Sequence, residues 1–153
     1  MTDRSTAHTT FTVVRDYKAR PGRVWTAFAD LEQKRRWFGG SDAEHTMDFR
    51  VGGEEVCNGV HEGVAYFTRV EYLDIVPERR IVHAYTMDMT KTGEATARRI
   101  SASLQTLEFE ATDGGCRLTL TEQGVFLDGL DTVAQREHGT RWLLDQIAPL
   151  VED

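Results

Sequence analysis

Residues 131–151, DTVAQREHGTRWLLDQIAPLV, are the only long stretch of this chain with a helical apolar rhythm. Their reading decides the fold, because most of what precedes them, from residue 45 to 124, alternates apolar and polar in short runs. Alternation with a period of two is the mark of a strand with one buried face. One amphipathic helix closing a run of antiparallel strands predicts a sheet wrapped around that helix. Where such a sheet curves away from its helix it leaves a cavity, so ligand binding is the first functional expectation.

Working outward, residues 124–130 (GVFLDGL) read as a loop, and Asp131 as the N-cap of the helix. Strands are expected at 45–51, 54–60, 64–75, 80–87, 99–110 and 116–123, with turns at Gly52-Gly53, Val76-Pro77-Glu78 and Asp113-Gly114-Gly115 and a polar hairpin tip at 90–98. Residues 9–17 alternate as a first strand. Pro21 suits the first turn of a short helix carrying Val24, Trp25, Ala27 and Phe28, and a second short helix at 31–38 ends at Gly39-Gly40. Strand, two short helices, six strands and a long helix give an α+β class with an antiparallel sheet of about seven strands.

Composition bounds the rest. A chain of 153 residues reads as one domain, 1–153, with residues 1–8 as a disordered arm. At that length roughly 68–70% of the unfolded surface can be buried, so no staples are needed. Cys57 and Cys116 have no paired spacing, which points away from a disulfide framework. With no apolar signal core and no membrane-length apolar window, the expectation is a soluble, cytoplasmic protein. A net charge of −7 argues against nucleic acid as a partner. The basic run Lys34-Arg35-Arg36 reads as the solvated side of a short helix.

The joints of this pattern resemble a known family. Ala19-Arg20-Pro21 with Val24-Trp25, Arg36-Trp37-Phe38-Gly39, Asp48-x-Arg50-Val51-Gly52-Gly53, Val76-Pro77-Glu78-Arg79-Arg80-Ile81 and Gly139-x-x-x-Leu143-Leu144-x-x-Ile147 are similar to the START-like helix-grip (SRPBCC) superfamily. Within it they resemble the family homologous to the activator of the heat-shock-protein-90 ATPase. The resemblance implies a helix-grip fold over about residues 10–151. Its functions are several, because this fold hosts binders, cyclases, lipid carriers and co-chaperone domains. The family often carries Trp after the helical glycine where this chain has Thr140, and the smaller side chain would enlarge a cavity.

Face assignment by alternation then supplies a candidate site. Leu118 and Leu120 face the helix, so Glu122 does too, as do Ser101, Ser103, Gln105, Leu107 and Phe109 on the preceding strand. A carboxylate in an apolar interior is costly unless it is paired, so Glu122 is either anchored by an arginine or helix N-terminus or available as a general acid. His83 shares a face with Ile81, Tyr85 and Met87, but both faces of that strand are nearly equally apolar. The expected cavity set is Trp37, Phe38, Phe49, Tyr66, Tyr85, Gln105, Glu122, Phe126, Thr140, Leu143 and Leu144, with Glu122 and His83 as catalytic candidates. Aromatic bodies with polar tips suit flat apolar ligands. No metal-ligand spacing, nucleophile elbow or nucleotide fingerprint occurs, so neither metal nor cofactor is expected.

The leading expectation is a binder of a small apolar, aromatic or lipid-like molecule. The alternatives are a polyketide cyclase, aromatase or isomerase-like enzyme using Glu122, and a chaperone-cofactor domain. The last is ranked lowest, because the chain lacks the extra N-terminal domain of eukaryotic co-chaperones in the family. An exposed strand edge and Trp142 are the places where a second copy would pair.

Overall fold

The structure, a computed structural model, describes residues 4–40 and 42–152. The order is β1 (Thr6–Tyr17), α1 (Pro21–Ala29), α2 (Leu31–Lys34), β2 (Glu44–Met47), β3 (Glu54–His61), β4 (Val64–Val76), β5 (Arg80–Lys91), β6 (Arg98–Thr112), β7 (Gly115–Leu127) and α3 (Val133–Val151). All seven strands form one antiparallel sheet in the order β1-β7-β6-β5-β4-β3-β2. Successive strands from β2 to β7 are neighbours, and β1 closes on β7, so the two short helices cross over before the meander starts. This is the α+β arrangement of an antiparallel sheet around one long helix read from the alternation, and the helix-grip fold that the resemblance implied.

The concave face of the sheet is the apolar one. Leu118 and Leu120 of β7, Leu107 and Phe109 of β6, Ile81 and Tyr85 of β5, and Val70 and Tyr72 of β4 are buried there. They meet Val24, Ala27 and Phe28 of α1 and Leu144, Ile147 and Val151 of α3. The buried face of α3 runs Arg136, Thr140, Leu144, Ile147, Val151, a spacing of four, four, three and four that keeps one stripe on the sheet. Its C-terminal half is held by polar ties as well as apolar ones. Pro149 has no N–H for the carbonyl one turn before it. Nearby, the Tyr17 hydroxyl donates to the Leu144 carbonyl at 2.6 Å, and Arg23 donates to the Leu150 carbonyl at 2.6 Å.

Several boundaries differ from expectation. Residues 6–8, expected in the disordered arm, pair with 125–127 of β7, because β7 runs on through 124–127, expected as loop. Residues 1–3 of that arm lie outside the described residues. Only 31–34 of the expected helix 31–38 are helical, and the chain then turns through Gly39. Gly39 has φ +81°, and a Cβ there would collide with the Cys57 thiol. The cap of α3 is Thr132, whose hydroxyl accepts from the Gln135 N–H at 3.1 Å. Asp131 is freed for another task.

Candidate functional site

The close backbone contacts of α3 are with β1 and α1, at one side of the sheet. Over β4, β5 and β6 the helix stands off, and the gap is bridged by side chains around a cavity of about 380 Å³. Its walls are mainly apolar: Phe28, Val70, Ile81, Leu107, Leu120, Leu143 and Leu144, with Trp37 and Phe38 from the turn after α2. Trp37 is held there by its indole N–H, which donates to the Ala27 carbonyl at 2.8 Å, and by edge-on packing against Phe28 at 4.9 Å. Trp142 borders the same cavity while remaining 58% exposed, so it stands at the mouth.

Two polar networks are sunk into the sheet beneath these walls. The first surrounds Glu122, which is fully buried. The Tyr85 hydroxyl donates to both carboxylate oxygens (2.8 and 2.9 Å), Ser103 to Oε2 at 2.9 Å and Gln105 to Oε1 at 3.0 Å. Arg136 reaches down from α3 to Glu122 at 3.4 Å, to the Tyr85 oxygen at 2.8 Å, to Ser101 at 2.7 Å and to Asp131 at 3.0 Å. Its guanidinium also lies 5.0 Å from the Phe126 ring centre, a desolvated cation–π geometry. Burial works against the Arg136 charge, but Tyr85, Glu122 and Asp131 outweigh it and hold the guanidinium protonated. Burial pushes the Tyr85 hydroxyl well above the ordinary tyrosine range, with Arg136 opposing and Glu122 reinforcing the shift.

The second network surrounds Glu55 on β3, which is 1% exposed. Lys34 and His45 each approach one of its oxygens at 2.6 Å, and the Tyr72 hydroxyl donates at 2.5 Å. Burial alone would raise its pKa. The Lys34 charge, with hydrogen bonds from His45, Lys34 and Tyr72, instead brings it down to about 2. Lys34 and Tyr72 both border the cavity, so this network forms its other polar edge.

His83 lies between the two networks and faces the cavity side with Ile81, Tyr85 and Met87. Its Nε2 pairs with Gln105 Oε1 at 2.9 Å. Burial, and then the Lys34 charge, bring its pKa down to about 4, against weaker raising effects of Glu55 and Gln105. The imidazole is therefore neutral near pH 7.

Of the residues expected at the site, Trp37, Phe38, His83, Tyr85, Gln105, Thr140, Leu143 and Leu144 border the cavity. Glu122 sits behind Tyr85 rather than on the wall, and Phe126 lies under Arg136. Phe49 packs between Trp25 (5.7 Å) and Tyr72 (5.0 Å). Tyr66 is half-buried on β4, one step beyond Thr68 on the face that lines the cavity. Alternation missed Glu55, which was hidden by the adjacent Glu54, although it shares a face with Cys57. Lys34, expected on a solvated helix face, is only 12% exposed and bound to Glu55. Arg136 was also missed, although it lies four residues before Thr140 and eight before Leu144. Both thiols are free and buried, and burial, then the Glu55 charge, push Cys57 up to about 11. Among the described residues, no three His, Cys, Asp or Glu side chains gather as a metal-ligand set, and no helix is long and apolar enough to cross a membrane.

Comparison with known proteins places this geometry in a family. Residues 18–152 match the family model described as activator of Hsp90 ATPase homolog 1-like protein. The chain belongs to that family. Among solved structures of the same fold, a protein from Rhizobium loti is 44% identical with a TM-score of 0.85, over 95% of this chain and 98% of that one. Another, from Rhizobium leguminosarum, is 39% identical with a TM-score of 0.86, over 96% of both chains. A protein from Chromobacterium violaceum shares the fold at 24% identity and a TM-score of 0.70, over 94% of this chain and 98% of that one. Among curated proteins, none matches the chain. The activator-like family thus fixes the frame, and the cavity with its two buried carboxylates carries the functional argument.

Proposed function

We propose that this protein binds a small, largely apolar molecule in the cavity between the sheet and α3. The observation that carries the reading is a gap of about 380 Å³ left by the stand-off of α3, walled by aliphatic and aromatic side chains. Pockets of that size and lining, with a few placed polar groups, are the usual form of small-molecule sites. The polar networks support binding over catalysis by Glu122. That carboxylate is off the wall, and its oxygens already accept from Tyr85, Ser103, Gln105 and Arg136. Two free buried thiols fit a reducing compartment, so we take the binder to be cytoplasmic.

The test is thermal stability against a panel of fatty acids, sterols, flavonoids and aromatic polyketides. A ligand at 100 times its dissociation constant adds about 2.7 kcal/mol, which is roughly 5–11 °C for a domain of this size. A shift in that range names the ligand class. No shift across the panel counts against the reading. A chaperone partner is the second reading, carried by the family match alone. Stoichiometric capture of a chaperone with stimulation of its ATPase, together with a silent panel, would put it first.

A further inference from the structure

The walls of the cavity are buried or half-buried almost throughout. Of the described residues that border it, two are exposed, Gln135 and Trp142, and both belong to α3. Solvent therefore meets the cavity along one edge of that helix. Gly139 stands on the same edge, four residues after Gln135 and three before Trp142, and it borders the cavity itself. Positions three and four apart are neighbours on a helix surface, so the three residues form one lip.

Glycine inside a helix is unfavourable, because it orders a flexible backbone and contributes no side chain to packing. Backbone geometry does not require it here, since Gly139 lies within the helical run Val133–Val151. Close packing does not require it either, because a Cβ at 139 would meet no atom within 4 Å. The contrast is with Gly53 and Gly115, where a Cβ would collide with the carbonyls of Asp48 and Tyr17. What the missing side chain does supply is a gap in the lip, between the Gln135 amide and the Trp142 indole. A longer side chain at 139 would lie back over the preceding turn, toward Gln135, and across that gap. The charged residues on the cavity wall are all paired, Lys34 with Glu55 and Arg136 with Asp131 and Glu122. The path thus suits an uncharged molecule.

We infer that Gly139 is the entrance of the cavity, a gap in the side of α3 through which an uncharged apolar ligand passes. This deepens the cavity-binding reading and rests on it.

Gly139→Leu tests it, with N-phenyl-1-naphthylamine as the probe, an uncharged fluorophore that brightens in apolar surroundings. The variant should keep the fold and melt about 2–4 °C higher, because leucine favours the helix and has room. A barrier at the mouth slows entry and exit alike. Stopped-flow fluorescence should therefore show association and dissociation rate constants both reduced about ten-fold or more, with Kd unchanged within about three-fold. His138→Leu, at an exposed position on the same turn, should leave both rates as in the wild type. Unchanged rates in Gly139→Leu would overturn the inference and leave the cavity reading standing. So would a weaker Kd with normal association, which would put residue 139 inside the binding site, or a lower melting temperature, which would mean the space is not open. No binding of the probe by the wild-type protein would overturn both.

Discussion

Glu122 and Glu55 are both wholly buried in the same sheet, yet their charges are compensated in different ways. Glu122 is surrounded by neutral donors, and its one cation arrives from a different layer, on α3, at 3.4 Å. Glu55 has Lys34 and His45 at 2.6 Å, from α2 and β2, the two short segments that precede β3. The first network therefore joins helix to sheet across the polar edge of the cavity. The second joins the turn that carries Trp37 and Phe38 to the far end of the sheet. A buried ion pair is weak evidence for net stability, because desolvation offsets much of the attraction. What each pair does supply is position. Arg136 sets where α3 sits over β5–β7, and Lys34 sets where the aromatic turn sits over β3 and β4.

The sharpest way to break this contrast is Arg136→Met. It leaves Glu122 buried without its cation, and the expected loss is about 3–5 kcal/mol in urea denaturation. A loss below about 1 kcal/mol would mean that neutral donors alone hold the carboxylate.

Acid comes next in size. The Glu55 pKa is lowered in the folded protein, so its contribution is present above the unfolded value near 4.5 and lost as pH falls toward about 2. A lowering of that size corresponds to a contribution of about 3 kcal/mol. The His83 pKa is also lowered, so its contribution is present above 6.5 and lost earlier, as pH falls toward about 4. Unfolding free energy measured against pH should therefore fall in two overlapping stages, and His83→Phe should remove the upper one. A single stage in the wild-type protein would contradict the assignment.

Lys34→Met should cost less than Arg136→Met, about 1–3 kcal/mol, because Glu55 keeps the His45 imidazole and Tyr72 hydroxyl. If Lys34→Met proves the more damaging, the contrast is inverted. The smallest effect is expected for Tyr72→Phe, about 1 kcal/mol for one hydrogen bond among three on Glu55. That change should leave the cavity open to the same ligand panel.

Which parts of the site could be read in advance follows from the range of the signals involved. Period-two alternation placed Glu122, Gln105 and Ser103 on the concave face from Leu118, Leu120 and Leu107 alone. It left the β5 face open, because Val82 and Ala84 are as apolar as Ile81 and Tyr85. His83 took the concave side because β5 pairs in register with Tyr72 on one flank and Gln105 on the other, placing all three on one face. Arg136 lay within reach of a helical count from Leu144, but charge argued for solvent until a buried carboxylate was known to face it. Lys34 was misplaced for the same reason. Phe49 and Tyr66 were assigned by residue type, and type does not tell a cavity wall from a packed core.

Local repetition along the chain was therefore enough for the strands, the closing helix, the sheet's buried face and the membership of Glu122 in the interior. Those features depend on each residue's neighbours two to four positions away. The pairing of Arg136 with Glu122, the pairing of Lys34 with Glu55 and the cavity itself came only with the docking of α3 and the α2 turn. Each depends on distances between segments far apart in the chain, and on where a helix stops short of a curved sheet.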